Sequence, residues 1–124
     1  MSQKTVLTIE DSANLADSLE DMLIAKGYNS IKATTGKQGL DLAINEKPDL
    51  ILLDLRLPDI DGLEIFKSLK NDTWGKTAKI LILTASDFTA SEAPDLKISS
   101  DIIIYKSHNS IEEIARRIES ELSN

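Results

Sequence analysis

The sequence predicts an α/β fold, a doubly wound five-stranded parallel sheet of order 2-1-3-4-5. Three observations carry this. Five short apolar runs recur along the 124 residues, at Val6–Ile9, Ser30–Ala33, Leu50–Leu53, Ile80–Leu83 and Ile102–Tyr105, and short runs rich in Ile and Leu suit strands buried on both faces. Helical periodicities separate the runs, and that alternation implies a parallel sheet. Right-handed crossovers with short connections leave few arrangements. The order 2-1-3-4-5 sets strands one and three side by side at the reversal point, where open α/β sheets gather their chemistry.

The first strand ends at the acidic pair Glu10-Asp11. The first helix starts near Ser12, places Leu15, Leu19, Met22 and Leu23 on one face, and stops at Gly27, a residue suited to the left-handed turn past a helix end. Leu40, Ala43 and Ile44 mark the second helix. The third strand, bounded by Pro48 and Pro58, closes on Asp54, so a carboxylate ends a fully buried run. Beyond Gly62 the third helix carries Leu63, Phe66 and Leu69. Thr84 and Lys106 end the fourth and fifth strands. Between Asp87 and Ser100 the periodicity is poor and Pro94 interrupts it, so a short or loosely held helix in a mobile segment is expected there. The last helix carries Ile111, Ile114, Ala115, Ile118 and Leu122 behind the capping box Ser110-x-x-Glu113.

At 41% hydrophobic the chain has apolar material for one self-sufficient core, so residues 1–124 are expected to form one domain. It has no cysteine, hence no disulfide framework and no thiolate metal site, which fits a reducing compartment. No apolar stretch has the length of a membrane span and no signal peptide stands at the N-terminus, so a cytoplasmic chain without membrane insertion is expected. A net charge of −7 with no basic run disfavours direct nucleic acid binding and points to protein partners.

The predicted topology makes Glu10, Asp11 and Asp54 converge. Close carboxylates repel by about 1 to 4 kcal/mol per pair at effective dielectrics of about 80 to 20, and the crowding raises pKa values unless a cation is present. Oxygen-only donors, no nearby histidine and an open face favour Mg2+ over zinc.

With Glu10-Asp11, Asp54, Thr84 and Lys106 in this order and spacing, and with Pro58 and Gly62 four and eight positions after Asp54, the chain resembles a two-component response-regulator receiver domain over essentially its whole length. The resemblance implies that Asp54 takes a phosphoryl group from a sensor histidine kinase, a histidine phosphotransfer protein or a small phosphodonor. It implies Mg2+ held by Asp11, by Glu10 through water, by Asp54 and by the backbone carbonyl of Arg56. Lys106 then neutralises Asp54 and afterwards a phosphoryl oxygen. The Thr84 hydroxyl donates to another, and its inward movement reports phosphorylation to a downstream protein target.

The chain departs from the family pattern near the fifth strand. Ser107 follows Lys106 where the family usually has proline. Ile103 replaces a common aromatic, with Tyr105 on the same strand face as its substitute. Ser99-Ser100 stand where Gly-Ala is usual, and together these changes imply a divergent output face. Asp59 and Asp61 read as turn residues with local hydrogen bonds. His108 reads as solvated, and Trp74 as either a loop anchor or an exposed contact. Arg56 and Ser86 flank the expected path of attacking water. The alternative is a receiver fold that is not phosphorylated and serves as an interaction module. A flavodoxin-like carrier is disfavoured because Glu10-Asp11 would repel a flavin phosphate. A phosphohydrolase is disfavoured because Arg56 stands where its usual acid would be.

Overall fold

The computed structural model describes residues 3–72, 78–84 and 100–123. Its five strands are β1 (Thr5–Ile9), β2 (Asn29–Ala33), β3 (Leu50–Asp54), β4 (Lys79–Thr84) and β5 (Ile103–Tyr105). All pair in parallel, in the order β2-β1-β3-β4-β5, as the apolar runs predict. The helices among the described residues are α1 (Ala13–Ala25), α2 (Gly36–Glu46), α3 (Gly62–Asn71) and α4 (Ile111–Ser123). The expected mobile helix between Asp87 and Ser100 lies outside the described residues except at Ser100, and Trp74, Ser86 and Ser99 lie outside them too.

The period of two along each strand sorts the core into two halves. Leu7, Ile9, Ile51, Leu53, Ile80, Ile82 and Ile103 face α2 and α3, where they meet Ala43, Ile65, Phe66 and Leu69. Val6, Leu50, Leu52, Leu81, Leu83 and Ile104 face α1 and α4, where they meet Leu19, Leu23, Ile114 and Ile118. Both faces are therefore covered, and the strands read as continuous apolar runs for that reason.

The ends of the helices follow their local chemistry. Ser12 caps α1 and accepts from the Leu15 amide, and Gly27 takes φ +91° just past the helix. The capping box of α4 forms in both directions, Ser110 N to Glu113 Oε1 at 2.9 Å and Glu113 N to Ser110 Oγ at 3.2 Å. Two expectations shift. Ile102 belongs to a 3-10 turn, Ser100–Ile102, so β5 starts one residue later than its apolar run. Ile44 is exposed, because α2 turns Gly36, Gly39 and Ala43 toward the sheet instead. A Cβ at Gly39 would lie 2.6 Å from Ile9 Cδ1, so small residues are what let α2 approach β1 this closely.

Candidate functional site

The carboxyl ends of β1, β3, β4 and β5 form one edge, and the sequence places a polar residue at or just beyond each. Glu10 follows β1 and continues its ladder through a 3.0 Å bond from its N–H to Ala33 O. Its carboxylate is fully buried, accepting from the Ser12 amide at 3.0 Å and pairing with the Lys106 ammonium at 2.5 Å. Asp11 is exposed at the mouth of the site. Asp54, the last residue of β3, is 3% exposed. Its Oδ1 accepts from the Arg56 amide at 3.0 Å and its Oδ2 from Lys106 Nζ at 3.1 Å.

Oxygen atoms of Glu10, Asp11 and Asp54 lie within 4.8 Å of one another. With all three ionised, these carboxylates and the one ammonium among them leave two negative charges uncompensated. An oxygen-only donor set with that charge, buried at Glu10 and Asp54 and open to water at Asp11, fits a hard divalent cation of the Mg2+ type. Burial pushes the Glu10 carboxyl up to about 7, against the opposing pull of the Lys106 and Ser12 hydrogen bonds, with the Asp54 charge adding to the rise. Burial also works against the Lys106 ammonium, but its bond to Glu10 and the charge of Asp54 outweigh that, and its pKa stands above the ordinary lysine value.

Thr84 closes β4 and is fully buried. The β3–β4 register sets Asp54 beside Leu83, and the β4–β5 register sets Thr84 beside Tyr105, so Thr84 stands at the same edge as Asp54. Lys106 opens a 3-10 turn, Lys106–His108, directly after β5. Ser107 in place of proline does not misdirect the lysine, which reaches both carboxylates. Ile103 and Tyr105 pack into the same half of the core, on one face of β5 as expected. His108 is exposed, with its ring centroid 6.1 Å from that of Tyr105.

The loop after Asp54 holds the residue that sequence reasoning passed over. Asp61 acts locally, as expected, capping α3 through the Leu63 amide at 3.0 Å. Asp59 acts at long range. Its Oδ1 and Oδ2 accept from the Gly36 and Lys37 amides at 2.7 and 3.0 Å, at the start of α2, and these bonds hold its carboxyl below the usual range, the Lys37 bond most. The loop is further closed by the Arg56–Asp61 bridge and a 3.0 Å bond from Gly62 N to Leu55 O.

A five-stranded parallel sheet of this order, with an acidic cluster and a lysine at its carboxyl edge, defines a receiver-type signalling domain. The chain belongs to that family: residues 6–119 match the Response regulator receiver domain. It is 38% identical over 82 residues to the polar-differentiation response regulator DivK of Brucella anthropi, covering 66% of this chain and 67% of that protein. It is also 38% identical over 117 residues to the response regulator ArlR of Staphylococcus epidermidis, covering 94% of this chain and 52% of that one, so it spans about half of ArlR. Among solved structures, a CheY-like receiver from Methanospirillum hungatei superposes with a TM-score of 0.87 at 25% identity, over 98% of this chain and 95% of that one. The receiver domain of the sensor histidine kinase PA1611 from Pseudomonas aeruginosa, solved with magnesium in its active-site cleft, superposes at 0.85 with 24% identity, over 99% of this chain and 100% of that one. No helix among the described residues is long and apolar enough to cross a membrane.

Proposed function

We propose that residues 1–124 act as one receiver unit in which Asp54 accepts a phosphoryl group in a Mg2+-dependent reaction. The observation that carries this is the placement of Asp54: Lys106 and the Arg56 amide each hold one of its oxygens, 3.1 and 3.0 Å away, and carboxylate oxygens of Glu10 and Asp11 lie within 4.8 Å of it. Asp54 and Asp11 would hold Mg2+ directly with the Arg56 carbonyl, and Glu10 through water. When bound, the cation neutralises charge on the incoming phosphoryl group.

The rest is done by the chain's own groups. A carboxylate oxygen of Asp54 forms a bond to phosphorus, and the phosphorus–nitrogen bond of a phosphohistidine, or the phosphorus–oxygen bond of an acyl phosphate, breaks with its electron pair leaving on the donor. Lys106 releases Asp54 and pairs with a phosphoryl oxygen, and the Thr84 hydroxyl donates to another. The donor in this reading is a sensor histidine kinase or phosphotransfer protein. The acyl phosphate switches contacts with a downstream protein target in the cytoplasm, without membrane insertion or direct DNA contact.

Incubation with acetyl phosphate and Mg2+ tests this. Phosphate on the wild type that is released by alkali and by hydroxylamine, as an acyl phosphate must be, absent without Mg2+ and absent in Asp54→Asn, is the expected result. A protein that folds, binds no Mg2+ and stays unlabelled is instead an interaction module. That alternative is disfavoured because the acceptor, acidic pair and lysine converge.

A further inference from the structure

All four leading amides of α2 are satisfied, but from two different parts of the chain. Gln38 N bonds Thr35 Oγ1 at 3.2 Å and Gly39 N bonds Thr35 O at 3.0 Å, both within the helix's own N-cap. Gly36 N and Lys37 N bond Asp59, more than twenty residues away on the loop that leaves Asp54. Helix capping needs only a local side chain, and Thr35 already supplies one. Asp59 adds a tie between a helix anchored on β1 and the middle of the loop. That loop begins with the Arg56 amide on Asp54 and ends with the Gly62 amide on Leu55 O, so its shape sets the direction of both the Asp54 carboxylate and the Arg56 peptide. Gly36 also allows the approach: a Cβ there would stand 2.9 Å from Ile65 Cδ1, 3.0 Å from Ile60 Cβ and 3.2 Å from Asp59 Oδ1.

We infer that Asp59 is a positioning residue for the cation site, a clamp that grips the first turn of α2 and thereby holds the Arg56–Asp61 loop in the form that takes Mg2+. This rests on reading the acidic cluster as a Mg2+ site. Asp59 touches neither the cation nor the phosphoryl group. Its effect is preorganisation, since outer groups that fix ligand direction commonly change metal affinity by about tenfold or more.

The test is Mg2+ titration of the full chain, followed through the amide shifts of Asp54, Leu55 and Arg56, in wild type, Asp59→Ala, Asp59→Asn and Thr35→Ala. Thr35→Ala weakens the same helix end without touching the loop, so it controls for lost stability. Asp59→Ala is expected to weaken Mg2+ binding about tenfold and Thr35→Ala less than about twofold. Asp59→Asn, which keeps one acceptor oxygen and perturbs the fold less, should fall between. Faster hydrogen exchange at Gly36 and Lys37 in metal-free Asp59→Ala would report release of the clamp. Unchanged Mg2+ affinity in Asp59→Ala, or an equal loss in Thr35→Ala, overturns the inference while leaving the Mg2+ site standing. A wild type that binds no Mg2+ overturns the site and the clamp together.

Discussion

At the scale of single residues, the site is a contest between burial and charge, and Glu10 shows it most clearly. Its folded value of about 7 lies above the ordinary 4.5, so between those values the folded chain holds a proton that the unfolded chain has lost. Its contribution to stability is therefore full below the lower value and is lost as pH rises through the upper one. Cation binding runs the other way, because it needs the carboxylate and expels the proton. Mg2+ affinity of the wild type should climb as pH rises through about 7 and level off above it. Well below that point the slope should approach a tenfold change per pH unit, the limit for one proton released. Calorimetric titration at several pH values checks this. Glu10→Gln should flatten the profile, and a wild-type affinity indifferent to pH would refute the assignment.

At the scale of elements, two turns are set by backbone limits. Lys47 is the one non-glycine residue with positive φ among the described residues, at +46°, where α2 ends and Pro48 follows. The residue before proline is driven out of the right-handed region, so the helix stops there. The left-handed conformation costs an L-residue about 1 kcal/mol or more, part of which glycine returns as unfolded-state entropy. Lys47→Gly should thus gain about 0.5 kcal/mol in urea denaturation. Gly62 is the opposite case. A Cβ there would meet Leu55 Cα at 2.4 Å and Asp54 O at 2.6 Å, both backbone. Gly62→Ala must displace the end of β3, and a loss of about 1 to 3 kcal/mol with weakened Mg2+ binding is expected from the same melts and titrations. These positions also mark what the chain discloses in advance. The strands and the Glu10, Asp54, Thr84 and Lys106 at or just past their ends are legible because burial on both faces demands unbroken apolar runs, which a polar or charged residue at the end interrupts. The close seating of α2 is not, because its signal is small residues, and Ile44 drew attention to the wrong side of the helix. Asp59 is hidden for another reason: an aspartate in a Pro-Asp-Ile-Asp-Gly turn is explained by local bonding, and nothing in the order of residues announces partners at Gly36 and Lys37.

At the scale of the whole molecule, folding itself assembles the acidic cluster, because Glu10 and Asp54 close different strands and meet only when β1 lies beside β3. The unfolded chain has no such site, so a cation that binds the cluster must stabilise the fold. At a free Mg2+ concentration about a hundred times the dissociation constant, the gain is about 2.7 kcal/mol. For a domain of this size that corresponds to a rise in Tm of about 10 °C. The chain carries a net charge of −7, so any salt will relieve some self-repulsion. Thermal melts in MgCl2 must therefore be set against NaCl at equal ionic strength. Asp11→Asn supplies the second control, since Asp11 is exposed and its loss should leave the core intact while removing a ligand. The wild type should gain several degrees in MgCl2 beyond NaCl, and Asp11→Asn should lose most of that difference. Equal shifts in the two salts, or an undiminished increment in Asp11→Asn, would mean that the cluster is a patch of general negative charge and not a site for a particular ion.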